Sequence, residues 1–209
     1  RDRYHYVLSK DTGYDARRIA TSDIYFESDS ERDAARQFFR GLPYVEDVES
    51  ASYPPCIGMS GMRILNESGQ SLFSSRYCVE TENYPKMMGM TMKEGRMARE
   101  RNEAVVNETF AKTMRWGDDV VGRIVHQGNT GLGDLRVVGV LKDFHTASFY
   151  VSQQPLIVRC GRFGGSIHVR LKEPFAENLR RLNTEAATAF PTKTVDFYSL
   201  EFEMQDAYG

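Results

Sequence analysis

Asp143 and His145 are the two residues of this sequence whose types and spacing could best support chemistry. They follow the apolar run VVGVL at residues 137–141, which is typical of a buried β-strand. An aspartate and a histidine at a strand exit could form half of a catalytic site or half of a metal site. They could also be the polar end of a structural element, in which the carboxylate accepts backbone N–H bonds of the following turn.

The rest of the sequence does not supply the partners that such a site would need. Catalysis would require a nucleophile beside the histidine, and a metal would require two further ligands. The other histidines, none of them in an H-E-x-x-H pattern, are His5, His126 and His168. The cysteines, which show no C-x-x-C spacing, are Cys56, Cys78 and Cys160. We therefore expect no catalytic residue and no metal site, and a structural role for Asp143 and His145.

Two glycine-rich segments lack the features of nucleotide-binding loops. GLGDLR, at residues 131–136, has Arg136 where G-x-G-x-x-G requires glycine, and it enters a predicted strand rather than a helix. CGRFGGS, at residues 160–166, lacks the Lys-Ser/Thr pair of a P-loop. The net charge of -2 does not indicate a surface for nucleic acid. We expect no cofactor and no nucleic-acid partner.

The hydrophobic pattern predicts a β-α-β unit near the start of the chain. Residues 16–28 and 44–53 are rich in β-branched and aromatic types and predict two strands. Between them we expect a helix with Ser30 as its N-cap, Asp33 three residues on, and an end at Gly41.

A second unit follows Pro155. It has two strands within residues 156–173, a helix with Pro174 in its first turn, and a closing strand at residues 193–204. Each of the two units leaves one sheet face to be covered. We therefore expect them to join a single sheet with both helices on one side.

The middle region, residues 56–154, predicts short strands and turns, with a short helix that has Asn107 as its N-cap. Its methionines cluster at residues 87–97, and we favour core packing over a soft contact surface for them. The prediction is an α+β fold. Residues 1–55 and 155–209 form a discontinuous α/β subdomain, and residues 56–154 form an inserted, mostly β subdomain.

At residues 103–125 and 136–150 the sequence resembles the MacB-like periplasmic core domain of FtsX-like ABC transporter permeases. The motifs, in order, are VVNE at 105–108, Ala111 in the following helix, VGRI at 121–124 and VVGVLKDFH at 137–145. KDTGYD, at residues 10–15, resembles the segment that follows the first transmembrane helix of such permeases. DFYSLEFEMQDAY, at residues 196–208, resembles the segment that precedes the second. The resemblance covers nearly the whole chain.

The resemblance implies a non-enzymatic domain that faces the periplasm and is held at the inner membrane between two membrane helices. The α/β part would be the porter-like subdomain and the inserted part the Sabre-like subdomain. A separate ABC ATPase would hydrolyse ATP, and a homo- or heterodimeric permease would couple hydrolysis to movement for export or substrate release. A periplasmic adaptor or a substrate protein would be a further partner. Asp143, His145 and Asn107 would stabilise the junction at which the inserted lobe returns the chain to the first.

Two other functions stay open. One is a stand-alone extracytoplasmic module that binds a peptide or a lipid, and the other is a hydrolase that uses Asp143 and His145. The chain lacks a starting Met and a signal peptide, so we expect a segment of a longer protein. Flanking apolar segments of about 20 residues would favour the permease over the binding module. A disulfide between Cys56 and Cys160 is a further hypothesis.

Overall fold

The computed structural model describes residues 15–51, 61–143, 154–161 and 166–203. The strands in these ranges are β1 (Ile19–Ser22), β2 (Val45–Ala51), β3 (Gly61–Leu65), β4 (Ser71–Glu80), β5 (Met92–Gly95), β6 (Glu103–Asn107), β7 (Ile124–Gln127), β8 (Leu135–Leu141), β9 (Leu156–Cys160), β10 (Ser166–Leu171) and β11 (Tyr198–Ser199). The helices are α1 (Asp29–Arg40), α2 (Tyr84–Met87), α3 (Glu108–Thr113) and α4 (Phe175–Ala189).

A four-stranded antiparallel sheet is formed in the order β11-β1-β10-β2. Helices α1 and α4 cover one of its faces, because each presents an apolar stripe at helical spacing. Phe39 of α1 and Leu182 of α4 are fully buried there with Val169 of β10. Each such side chain contributes about 1.5–3 kcal/mol by burial. The prediction that the two units join one sheet with both helices on one side is confirmed for β1, β2, β10 and β11.

The other strands form a closed barrel. They are ordered β8-β6-β9-β4-β3-β7, and β7 pairs again with β8, while β5 joins β8 at the side. Closure leaves these six strands without a free edge. The barrel interior is filled by side chains such as Ile64, Val125 and Ile157, and Phe110 of α3 packs into the same core.

Strand β6 is buried along its whole length because both of its faces are covered. Ala104 and Val106 belong to the barrel interior, whereas Val105 belongs to a second core outside the barrel. Successive side chains of a strand point to opposite faces, so a strand covered on both shows no apolar–polar alternation. This explains the continuous apolar run in the sequence.

The second core lies between the barrel and the four-stranded sheet, on the sheet face opposite α1 and α4. It joins Ile19 of β1 to Val138 of β8 through buried methionines, among them Met88, Met90 and Met97. These three side chains are at most 8% exposed. Core packing of these methionines is therefore confirmed.

Strand β9 corrects one expectation. We predicted that residues 155–209 belong to the α/β subdomain, but β9 pairs with β4 and β6 inside the barrel. The chain returns to the four-stranded sheet after Cys160 and not at Pro155. The run LIVRC is apolar and carries no alternation that would assign it to either sheet. The division at residues 55 and 155 otherwise stays a prediction.

Two local expectations are also corrected. The N-cap of α1 is Ser28 and not Ser30, since the Ser28 hydroxyl accepts a bond from the backbone N–H of Glu31 at 3.1 Å. The closing strand is limited to β11, and residues 200–203 are helical. The hydroxyl of Ser199 accepts a bond from the backbone N–H of Phe202 at 3.1 Å, which favours this turn over a longer strand.

Candidate functional site

Asp143 ties the end of β8 to the first turn of α3. Its carboxylate accepts one bond from the backbone N–H of Thr109 at 3.0 Å and another from the Thr109 hydroxyl at 2.8 Å. The backbone N–H of Asp143 donates to the Glu108 carboxylate at 3.0 Å. That bond, helped by Lys93, lowers the pKa of Glu108. The reciprocal bonds resemble a capping box built from two segments, and Asp143 acts here as a cap.

Asn107 is the N-cap of α3, as predicted. Its Oδ1 accepts bonds from the backbone N–H of Phe110 at 2.8 Å and of Leu156 at 3.0 Å. Its Nδ2 donates to the carbonyl oxygen of Gln154 at 2.9 Å. Asn107, which is 3% exposed, therefore joins β6, α3 and the start of β9. These bonds lie within the barrel, and a role at the junction of the two lobes stays a prediction.

The other predicted positions contribute no contact to this site among the described residues. His145 and Cys56 lie outside the described residues, and Cys160 carries a free thiol. In the described part of the chain, no group of three or more His, Cys, Asp and Glu side chains is arranged to hold a metal ion.

A hydrogen-bonded contact, which we call the polar contact, links β2 of the four-stranded sheet to the segment around α2. The Glu49 carboxylate, 4% exposed, accepts a bond from the Thr81 hydroxyl at 2.8 Å. The Asn83 amide donates to Asp47 at 2.9 Å and to Glu49 at 3.3 Å. The Arg36 guanidinium lies 3.8 Å from the Glu49 carboxylate and offsets part of its charge.

Arg170 of β10 extends the polar contact. Its guanidinium donates to the carbonyl oxygen of Met87 at the end of α2, and to that of Asp15 at 3.3 Å. Burial lowers the pKa of Arg170. The backbone N–H of Asp15 donates to the carbonyl oxygen of Met88 at 2.5 Å. The chain therefore enters the four-stranded sheet while bonded to the segment that leads to the barrel.

His168 lies at the centre of this face and is fully buried. Its Nδ1 is 3.0 Å from the hydroxyl of Thr21, and its ring faces Tyr84 of α2 at a centroid distance of 6.4 Å. Its Nε2 is buried without a hydrogen-bond partner among the described residues. Burial lowers the pKa of His168 to about 4. The imidazole is therefore neutral near pH 7.

No direct signal in the sequence identifies His168 and Arg170 as contact residues. The strand SIHVRL alternates Ile167, Val169 and Leu171 with polar residues. That alternation is typical of an antiparallel strand with one face in water. It could not show that the polar face is covered by α2.

The two ends of the described chain leave the four-stranded sheet side by side. Strands β1 and β11 are antiparallel neighbours, with Ala20 opposite Ser199 and Thr21 opposite Tyr198. The chain before β1 and the chain after β11 therefore lie at the same end of the sheet. Ala16 and Leu200, which flank these strands, both pack into the second core against the barrel.

The sequence model of one protein family, the MacB-like periplasmic core domain, matches residues 6–180, well over half of the chain. The chain belongs to this family. The resemblance predicted from the motifs is thereby confirmed, and the chain is a periplasmic domain of a MacB-like ABC transporter permease.

Solved structures of MacB-like domains share the fold. The periplasmic region of MacB from Actinobacillus actinomycetemcomitans superposes with a TM-score of 0.60 at 16% identity, covering 96% of this chain and 97% of that one. The extracellular domain of the noncanonic ABC-type transporter YknZ from Gram-positive bacteria superposes with a TM-score of 0.56 at 13% identity, covering 85% of this chain and 99% of that one. A domain of a candidate permease from Porphyromonas gingivalis superposes with a TM-score of 0.53 at 15% identity, covering 88% of this chain and 91% of that one.

A comparison with proteins of curated function found no match. The predicted α+β class, with a porter-like α/β part and an inserted β-rich part, agrees with the fold of these MacB-like neighbours. Among the described residues of this MacB-like domain, no helix has the length and apolar character needed to span a bilayer.

Proposed function

We propose that this domain transmits movement from an ABC ATPase, through the membrane part of its permease, to the periplasmic side, and performs no catalysis itself. The movement would serve export or the release of a substrate. The domain would be attached to the inner membrane at both of its ends, in a homo- or heterodimeric permease. A periplasmic adaptor or a substrate protein would be the further partner.

The observation that carries this proposal is the pairing of β1 with β11. Because these neighbouring strands are antiparallel, the chain enters and leaves the domain at one end of the sheet. Two membrane helices attached there would act on a single edge of a rigid body. A displacement of either helix would turn the whole sheet instead of stretching it between two poles.

The second core supports the transmission of such a movement to the barrel. Ala16 and Leu200, beside the two chain ends, pack with Val138 and Val158 of the barrel strands. Packed cores are dense and deform little, so they pass displacement on. Arg170 and Asp15 add hydrogen bonds at the same contact.

The test uses the full-length permease with its ABC ATPase in lipid nanodiscs. Spin labels are placed on cysteines at Leu72 of the barrel or at Phe38 of α1, in a variant whose native cysteines are replaced by serine. Both positions are exposed, at 50% and 38%. Pulsed electron spin resonance then measures the distance between the same label in the two protomers.

We expect the distance distributions to differ between the nucleotide-free and the ATP-bound states, since only a differential interaction with two states shifts their equilibrium. An ATPase variant that binds ATP without hydrolysing it should hold one distribution. Identical distributions at both positions in every nucleotide state would contradict the proposal. Micromolar binding of ATP to this domain alone, measured by calorimetry, would also count against it.

A further inference from the structure

We propose that His168 is an acid-sensitive latch of the polar contact. In its neutral form the imidazole holds the four-stranded sheet against α2, and its protonation separates the two. The proposal concerns the contact between sheet and barrel, and it does not depend on coupling to an ATPase.

The position of the ring gives the first argument. His168 is fully buried between β1, β2 and α2, with Nδ1 at 3.0 Å from the Thr21 hydroxyl and its ring against Tyr84. A neutral imidazole carries one N–H, whereas the imidazolium carries two and has a positive charge. The buried Nε2 has no hydrogen-bond partner among the described residues. The protonated ring would therefore leave a charged N–H buried without an acceptor, which is costly.

The charged groups around His168 do not remove this cost. Asp23, the residue after β1, favours the imidazolium, but its carboxylate already accepts a bond from Ser166 at 2.8 Å. Glu49 stands opposite His168 on β2 and is bonded to Thr81. Other titratable or charged groups around this face include Asp47 of β2, Arg170 of β10, Arg36 and Arg40 of α1, Tyr84 of α2 and Tyr198 of β11. A bond from Nε2 to either nearby carboxylate would require rearrangement of the polar contact.

Opening of this contact would leave the barrel core and the core beneath α1 and α4 intact, and would expose only the part of the second core that Tyr84 and Met88 form with Ile19. Helix α2 has four residues, and it meets the sheet through hydrogen bonds from Thr81, Asn83 and Arg170. Opening would return the imidazole to water, where its pKa is near 6.5. In the closed state burial lowers that pKa to about 4.

The direction of the effect follows from this difference. The closed state binds fewer protons than the open state between these two pKa values, so closure is favoured above pH 6.5 and weakened as the pH falls. Between pH 7.5 and pH 5, the equilibrium constant for opening should rise roughly thirtyfold. That window lies above the ordinary pKa values of Asp and Glu, which limits their contribution.

Hydrogen exchange measured by mass spectrometry on this 209-residue chain tests the latch. Exchange is followed at pH 7.5 and pH 5.0 and corrected for the intrinsic pH dependence of amide exchange. We expect residues 81–90 to lose protection at pH 5.0, while β10, which is bonded to β1 and β2 on its two sides, and β6 and β8 of the barrel keep theirs. An equal loss of protection throughout the barrel would overturn the proposal, because the contact would then not be the unit that opens.

His168→Gln and His126→Gln form a matched pair. Glutamine stays neutral at both pH values, so His168→Gln should lose most of the acid-induced exchange. His126 is partly exposed and lies next to Asp134 in the barrel, and its substitution should leave the effect intact. The same acid response in His168→Gln and the wild type would overturn the proposal.

A measurement on the wild type tests the proposal even if the His168→Gln variant does not fold. The His168 ring is titrated by NMR through its Hε1 and Cε1 signals. Under the proposal the closed-state signal stays neutral down to pH 5 while an open-state signal grows. Titration near pH 6.5 with unchanged protection of residues 81–90 would overturn it.

Discussion

Gly139 lies directly against the backbone of Arg96. A Cβ atom at position 139 would stand 2.2 Å from the carbonyl oxygen of Arg96. The closeness is mutual, because a Cβ at Gly95 would stand 2.1 Å from the carbonyl oxygen of Val138, and Gly95 has a positive φ of 70°. The glycine in the VVGV motif is therefore required by the approach of β5 to β8.

Gly139→Ala should destabilise the chain by about 3 kcal/mol or more, because the methyl group would force two backbones apart in a packed region. Urea unfolding, followed by the fluorescence of the single Trp116, measures the free energy of unfolding. Gly131→Ala is the control, since its Cβ would meet nothing closer than 3.5 Å. It should change the free energy by less than about 0.5 kcal/mol. Equal effects of the two substitutions would contradict the steric argument.

The helix N-caps show how much of the local structure could be predicted from the sequence. The sequence predicts Asn107 as an N-cap because an Asn directly before an amphipathic helix bonds backbone N–H groups only a few residues away, and the structure confirms this. The N-cap of α1 also had a local signal, the S-x-x-E spacing from Ser28 to Glu31, although we assigned it to Ser30. Features set by neighbouring residues were therefore within reach.

Features that depend on pairing between distant parts of the chain could not be predicted from the sequence. Barrel closure depends on β7 pairing with both β3 and β8, and no short pattern encodes two partners. The assignment of β9 failed for the same reason, since a strand buried on both faces looks alike in either sheet. His168 was unremarkable in sequence, because its role arises from α2 covering a face whose alternation indicates exposure to water.

Asp143→Ala should lower the free energy of unfolding by about 1–3 kcal/mol, because the backbone N–H and the hydroxyl of Thr109 would lose their acceptor. Urea unfolding is again the measurement, and Lys142→Ala at the exposed neighbouring position is the control. A double-mutant cycle with Thr109→Ala should show that the two effects are not additive. If Asp143→Ala costs no more than Lys142→Ala, the capping role is wrong.

Substitution of Asn107 should lower the free energy of unfolding more than substitution of Asp143, since Asn107 makes three hydrogen bonds while buried. Asn107→Ala would leave two backbone N–H groups and one carbonyl unsatisfied, at a cost of about 2–4 kcal/mol. Asn107→Asp keeps acceptors for the N–H groups of Phe110 and Leu156 but cannot donate to Gln154. We therefore expect it to be intermediate in denaturant unfolding near pH 7. An Asp variant as unstable as the Ala variant would argue against the cap.

Glu103 is a buried carboxylate that arginine and backbone donors hold in its ionised form. It is 2% exposed and is bonded by the Arg96 guanidinium at 2.6 and 3.0 Å, by Arg136 at 3.0 Å, and by the backbone N–H groups of Arg99 and Glu100. The Arg96 bond, with these backbone bonds, lowers the pKa of Glu103 to about 2. The carboxylate therefore holds the 96–101 segment against β6 and β8.

The lowered pKa fixes the pH dependence. Because the folded-state pKa lies below the ordinary value of 4.5, Glu103 contributes stability that is fully present above pH 4.5 and is lost as the pH falls toward 2. Glu103→Gln should be less stable than the wild type at pH 7, and the difference should narrow between pH 4.5 and pH 2.5. Urea unfolding at several pH values measures it. Glu82→Gln, which removes an exposed ion pair with Arg99, should change little at any pH. A wild-type advantage over Glu103→Gln that stays constant through this window would show that the Glu103 charge is not what holds the segment.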